Sequence, residues 1–215
     1  AGLSQGEALR VDIAVRWASA AVLVCAALFM LTQEFTAGYL PGANDNASGV
    51  AALLHVAERL SAAPPQHLDV WFVATGSAEG WLNGMRRLFQ THRFDKRETT
   101  FINLDGVGGD APVYVFGEGL LHVFRTPRHL RQVVEKVGAP LGAQHRRAIG
   151  VPSEALVAVA RGFDAVTISS SGDYERASLD EMEEETFLQV NADTVVTAAA
   201  FAEGIIREID ASARD

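Results

Sequence analysis

From residue 50 onward the sequence alternates short β-branched and aromatic runs with stretches whose apolar residues recur every three to four positions. This alternation constrains the fold more than any other feature. Val50, Leu53, Leu54, Ala57 and Leu60 share one helical face, with Asn46 or Ser48 available as amino cap and Pro64 and Pro65 as the stop. Residues 68–74 read as a buried strand, 79–89 as a helix, and 101–104 and 112–116 as two further strands. Residues 127–137 form an amphipathic helical pattern closed by Gly138, 166–169 a strand, and 187–209 a long helix rich in Ala and Val. Such an order predicts a sheet with helices on both faces. Ligands of such sheets gather where strands give way to loops at their carboxyl ends. The glycines at 106, 108 and 109 lack the spacing of a dinucleotide fingerprint.

The first residue is Ala1 rather than Met, which leads us to expect a processed or truncated amino end. Residues 17–33 carry no charge and are bounded by Arg16 and Glu34. A bilayer span needs about 17–25 apolar residues, so this run is expected to be a transmembrane helix, with a wholly buried core helix as the alternative. A secretory signal would have a shorter apolar region ending in small residues, whereas this one ends at Gln33, Glu34 and Phe35. Arg10 and Arg16 precede it and no Lys or Arg follows until Arg59, which would place a larger downstream domain outside the cytoplasm. The expected organisation is therefore an amino-terminal segment, residues 1–36, and an α/β domain, residues 37–215, in a membrane-associated protein.

The 215 residues carry 27 Asp and Glu against 18 Lys and Arg, a formal charge of -9, with no basic stripe interleaved with aromatics. That balance disfavours a phosphate backbone as partner, and no nucleic-acid role is expected. The single cysteine, Cys25, cannot form an intrachain disulfide. It lies within the apolar run, where a thiolate would be costly. Ser77 lacks the first glycine of a nucleophile elbow, which disfavours a serine hydrolase. The acidic run Glu181, Glu183, Glu184 and Glu185 complements the amino end of the last helix.

Three acids fall where the architecture would place a site. Asp45 lies between a glycine-proline loop and a helix start, Glu79 follows the strand 68–74, and Asp105 closes the strand 101–104. Singly, each has an ordinary reading as a cap or a solvated side chain. Together, after successive elements of one sheet, they could converge as oxygen ligands of a divalent cation.

The run Gly42-Ala43-Asn44-Asp45-Asn46-Ala47-Ser48-Gly49 closely resembles the segment of the co-catalytic dinuclear zinc aminopeptidases whose aspartate bridges two zinc ions. That family also includes glutamate carboxypeptidases and, more distantly, glutaminyl cyclases. Residues 69–84 resemble its strand, acidic pair and following glycine, so Glu79 falls on the ligand glutamate. Ile102-Asn103-Leu104-Asp105 resembles the strand carrying the next ligand aspartate, and residues 153–165, with Gly162, the stretch leading into the last core strand. The resemblance implies a three-layer α/β/α sandwich with a mostly parallel mixed sheet. It implies two zinc ions with Asp45 as bridge and Glu79 and Asp105 each completing one. It also implies metal-assisted hydrolysis of a peptide with a free amino terminus, or of a peptide-like amide.

The departures are chemical. The family's general-base glutamate precedes the ligand glutamate; here that position is Ala78, which cannot take a proton. No histidine precedes Asp45, where the family has a His-x-Asp segment, and the later histidine position offers Ala155 or Glu175 instead. His55, His67, His92, His122, His129 and His145 read as structural or solvated rather than as ligands. Zinc prefers nitrogen or thiolate donors, so three carboxylates alone would hold it less selectively. The alternative expectation is a catalytically silent domain serving binding or complex assembly, as among membrane-anchored relatives.

Overall fold

A computed structural model describes residues 5–36, 41–119, 122–146, 152–172 and 186–213. Glu175 and the acidic run at 181–185 lie outside these residues. The chain divides into two compact units, residues 1–40 and 41–215. In the first, Gln5–Thr36 forms one helix, α1. Its stretch Leu9–Gln33, of mean hydropathy 2.0, is long and apolar enough to cross a membrane, and none of its window is buried.

The second unit is built on a four-stranded sheet of order β1-β6-β2-β5. The strands are β1 (Thr100–Leu104), β2 (Pro112–Val115), β5 (Gln144–Arg146) and β6 (Asp164–Ser170). β1 is parallel to β6 and β2 to β5, while β2 runs antiparallel to β6. A short hairpin, β3 (Gly117–Glu118) with β4 (Phe124–Arg125), follows β2. The helices are α2 (Gly49–Ala62), α3 (Asn83–Thr91), α4 (Arg128–Gly138), α5 (Glu154–Val159) and α6 (Ala192–Ser212).

Side chains alternate across a strand, so each strand supplies both faces of the sheet. Leu104, Val166, Ile168, Tyr114 and Phe116 meet Val56 and Leu60 of α2, Leu130 and Val134 of α4, and Phe201 and Ile205 of α6 in one core. Ala165 and Phe101 face the other way, against Met85 of α3 and Ala155 and Ala158 of α5. The result is a three-layer α/β/α sandwich with a mostly parallel mixed sheet.

Three expectations are corrected. Residues 68–74 form no ladder with any described strand. They are anchored at their start, where the Asp210 carboxylate accepts from the Gln66 and His67 amides. Val70 packs on the larger core, while Trp71 sits edge-on to His92 and Phe94 at 5.6 and 5.9 Å. The segment is not the buried strand expected, since Trp71, Phe72 and Val73 are exposed and it has no strand neighbour among the described residues. The expected helix over 79–89 starts instead at Asn83, because Ser77, Trp81 and Leu82 take φ of 59°, 62° and 59°, which no right-handed helix contains. The long carboxyl-terminal helix begins at Ala192, capped by the Asn191 side chain accepting from the Asp193 and Thr194 amides, with only a short 3₁₀ turn at Phe187–Gln189 before it.

Candidate functional site

Asp45 sits in a wide turn, Ala43–Ser48, that leads into α2, and Asp105 sits in the turn leaving β1. Side chains flanking Asp45 bind the backbone flanking Asp105. Asn46 Nδ2 donates to the Leu104 carbonyl at 2.9 Å, and Asn46 Oδ1 accepts from the Gly106 amide at 3.1 Å. The same Oδ1 accepts from the Gly49 amide at 3.1 Å, so Asn46 also satisfies the first amide of α2. Asn44 Oδ1 accepts from the Gly108 amide at 2.6 Å, and Ser48 Oγ accepts from the Val107 amide at 3.0 Å while donating to the Asn44 carbonyl at 2.6 Å. The Asp105 amide continues the β1–β6 ladder, donating to the Ile168 carbonyl at 3.0 Å.

Two glycines permit this approach. A Cβ on Gly49 would fall 2.5 Å from the Leu104 carbonyl oxygen, and one on Gly108 would fall 2.7 Å from Asn44 Oδ1. The two turns are therefore locked together at the carboxyl end of β1, and the positions they present outward are Asp45, exposed, and Asp105, partly exposed. Asn44 and Ser48, in contrast, are buried as structural links. The caps expected from sequence are thus mainly inter-turn staples, a role that local spacing cannot reveal because the partners are 58–64 residues away.

Glu79 lies apart from this pair in the turn preceding α3 and is exposed, as is Ala78. That turn is held by the Leu82 amide donating to the Ala78 carbonyl at 2.8 Å and the Asn83 amide to the Ser77 carbonyl at 3.2 Å. Ala155 is buried in α5, behind the Ser153 cap. Of the histidines, His129 binds the Asp164 carboxylate, and His145 lies 5.1 Å from the Phe116 ring. His92 lies against Trp71, and His122 is 4.7 Å from Phe124.

One buried carboxylate escaped the sequence reading. Glu118, 3% exposed, accepts from the Ser153 amide and hydroxyl, both at 2.8 Å, and from the Thr167 hydroxyl at 2.9 Å. Burial raises its pKa above the ordinary carboxylate value against the opposing pull of those hydrogen bonds. No local signal marked it, since its donors come from α5 and β6.

Among the described residues no group of three or more His, Cys, Asp or Glu side chains is placed to hold a metal ion. Asp45, Glu79 and Asp105 offer carboxylate oxygens only, and zinc sites draw mainly on imidazole or thiolate. The residues present therefore do not make a zinc site on their own.

The model of peptidase family M28 matches residues 29–199. The chain belongs to this family. The M28 fold is shared with BSAP, a zinc aminopeptidase from Bacillus subtilis, at 19% identity and a TM-score of 0.64, covering 80% of this chain and 43% of that one. The LapA aminopeptidase of Legionella pneumophila is similar at 15% identity and a TM-score of 0.66, covering 80% and 48%. An Acidobacteriales bacterium glutaminyl cyclase is similar at 18% identity and a TM-score of 0.56, covering 80% and 63%. This M28 chain spans less than half the length of the two aminopeptidases. A search of curated protein sequences gives no match. Membership of the family relates the chain to peptidases by descent.

Proposed function

We propose that the domain from residue 41 is an aminopeptidase-like hydrolase acting on peptides, or small peptide-like amides, with a free amino terminus. Asp45 and Asp105 are the carboxylates it would offer a divalent cation, and Glu79, on the turn before α3, is the third acid that the family resemblance assigns. The observation that supports this reading is the stapling of the Asp45 turn to the Asp105 turn through Asn44, Asn46 and Ser48, which joins the chain beside one acid to the chain beside the other at the carboxyl end of β1. Oxygen ligands at that position suit a divalent cation, and the family's metal is zinc. What these residues do is hold the turns and supply negative charge. A proton acceptor is missing from position 78, and an imidazole donor is missing beside the acids. The helix α1, exposed and apolar, serves as a membrane anchor in the same reading.

A second reading, a catalytically silent member that binds peptides or partners, is favoured by one specific feature: the exposed Ala78 directly before Glu79. General base assistance is worth roughly 10²–10⁴ in rate, so its loss alone would leave a weak enzyme. Amino-acid release from unblocked aminoacyl amides, measured on the detergent-solubilised protein with and without chelator, separates the two. Chelator-sensitive turnover that disappears in Asp45→Ala supports the hydrolase. No turnover by a protein that holds stoichiometric zinc supports the silent domain.

A further inference from the structure

The second feature with the makings of a site lies at the other end of the sheet. β2 is antiparallel to β6, so its carboxyl end is opposite the ends of β1 and β6 that carry Asp105 and the stapled turns. There, Phe116, Gly117, Val123, Arg125, Arg131 and His145 line an open cleft of about 240 Å³. In a chain of net charge -9 this cleft has three basic side chains on its wall and no carboxylate.

Those bases are unneutralised within the fold. Among the described residues Arg125, Arg131 and His145 form no ion pair and no side-chain hydrogen bond, although Arg16, Arg59, Lys136 and Arg207 all pair with acids elsewhere. Glu135, one turn beyond Arg131 on α4, is exposed and does not pair with it. The Arg131 guanidinium lies over the Phe116 ring, 5.8 Å from its centroid, and its Nε is buried without a hydrogen-bond partner. A buried donor left unpaired is costly in a folded protein, and a guanidinium stacked on an aromatic face has its fork pre-oriented. His145 packs at 5.1 Å on the same ring.

We propose that this cleft is a binding site for a small oxyanion, a carboxylate or phosphate group, held by the Arg131 fork with Arg125 adding charge and the His145 ring lining the wall. Planar guanidinium pairs with such groups through two parallel hydrogen bonds, and a ligand oxygen at the cleft wall would satisfy the buried Nε. The cleft is separate from the acids at Asp45 and Asp105, so this site stands whether or not the hydrolase reading does.

The test is isothermal titration of the full chain, in non-ionic detergent at pH 7, with inorganic phosphate in one arm and malonate in the other. Saturable binding in at least one arm is expected, and the tighter arm identifies the class. Arg131→Leu should weaken it tenfold or more, Arg131→Lys by less because charge without the fork remains, and Arg125→Gln severalfold. Arg97→Gln, an exposed arginine elsewhere on the domain, should leave it unchanged. Arg125 is exposed, so its variant guards against a misfolded Arg131 substitution. Absence of saturable binding in both arms overturns the proposal. So does binding that Arg131→Leu and Arg125→Gln both leave intact.

Discussion

Replacing Asn46 by Ala should loosen the Asp45 turn from the Leu104–Gly106 backbone, leaving the Asn44 and Ser48 staples in place and touching neither acid. Three hydrogen bonds are lost, to the Leu104 carbonyl at 2.9 Å and to the Gly106 and Gly49 amides at 3.1 Å each. Net hydrogen-bond contributions run about 0.5–1.5 kcal/mol apiece, and the site is only part-buried, so water recovers some of the loss; about 2–3 kcal/mol remains. At about 1.4 kcal/mol per factor of ten, the Gly106 and Gly49 amides should exchange with deuterium about 30–150 times faster, measured by fragment mass spectrometry on the full chain. Asn46→Asp keeps an acceptor for both amides but sets an oxygen against the Leu104 carbonyl, so its amides should lie between wild type and Asn46→Ala. Exchange at Gly106 within threefold of wild type in Asn46→Ala would refute the claim that these side chains lock the site.

Restoring a carboxylate with Ala78→Glu should raise amide hydrolysis by up to about 10²–10⁴, and an unchanged rate in a folded, metal-loaded variant would argue that position 78 does not face the scissile bond. Glu118 is protonated more readily in the folded state than in the unfolded chain, so its contribution is fully present below the unfolded carboxylate pKa and is lost as pH rises through the raised folded value. The stability difference between wild type and Glu118→Gln should therefore shift against wild type as pH increases from about 4.5, read by thermal unfolding across pH; a difference independent of pH would contradict the burial argument.

Much of the fold was legible because burial leaves a periodic trace. α2 and α4 follow the apolar spacing at Val56 and Leu60, and at Leu130 and Val134, and stop at prolines or glycine as local chemistry requires. β1, β2 and β6 show as compact apolar runs because both faces of the sheet are covered. β5 left no such trace, since Gln144, His145 and Arg146 are polar and three residues suffice at a sheet edge. Residues 68–74 carry strand composition, but composition does not supply a neighbouring strand, and the segment joins no ladder among the described residues. Around the site, the positions of Asp45 and Asp105 were readable, whereas the staples at Asn44, Asn46 and Ser48 looked like helix caps. Glu79 looked helical because its local pattern says nothing about the positive φ values at Ser77, Trp81 and Leu82. The basic cleft was invisible for the same reason as Glu118: Phe116, Arg131 and His145 meet only after the chain has folded.

The most direct test is calorimetric titration of zinc or manganese into the full chain and into Asp45→Ala, Glu79→Ala and Asp105→Ala. If the stapled turns hold the cation, Asp45→Ala and Asp105→Ala should each weaken binding at least tenfold, Glu79→Ala should weaken it less, and combining Asp45→Ala with Asp105→Ala should add little to either alone. Retention of full affinity in Asp105→Ala while Asp45→Ala loses it, or no binding by the unaltered protein, would contradict the account.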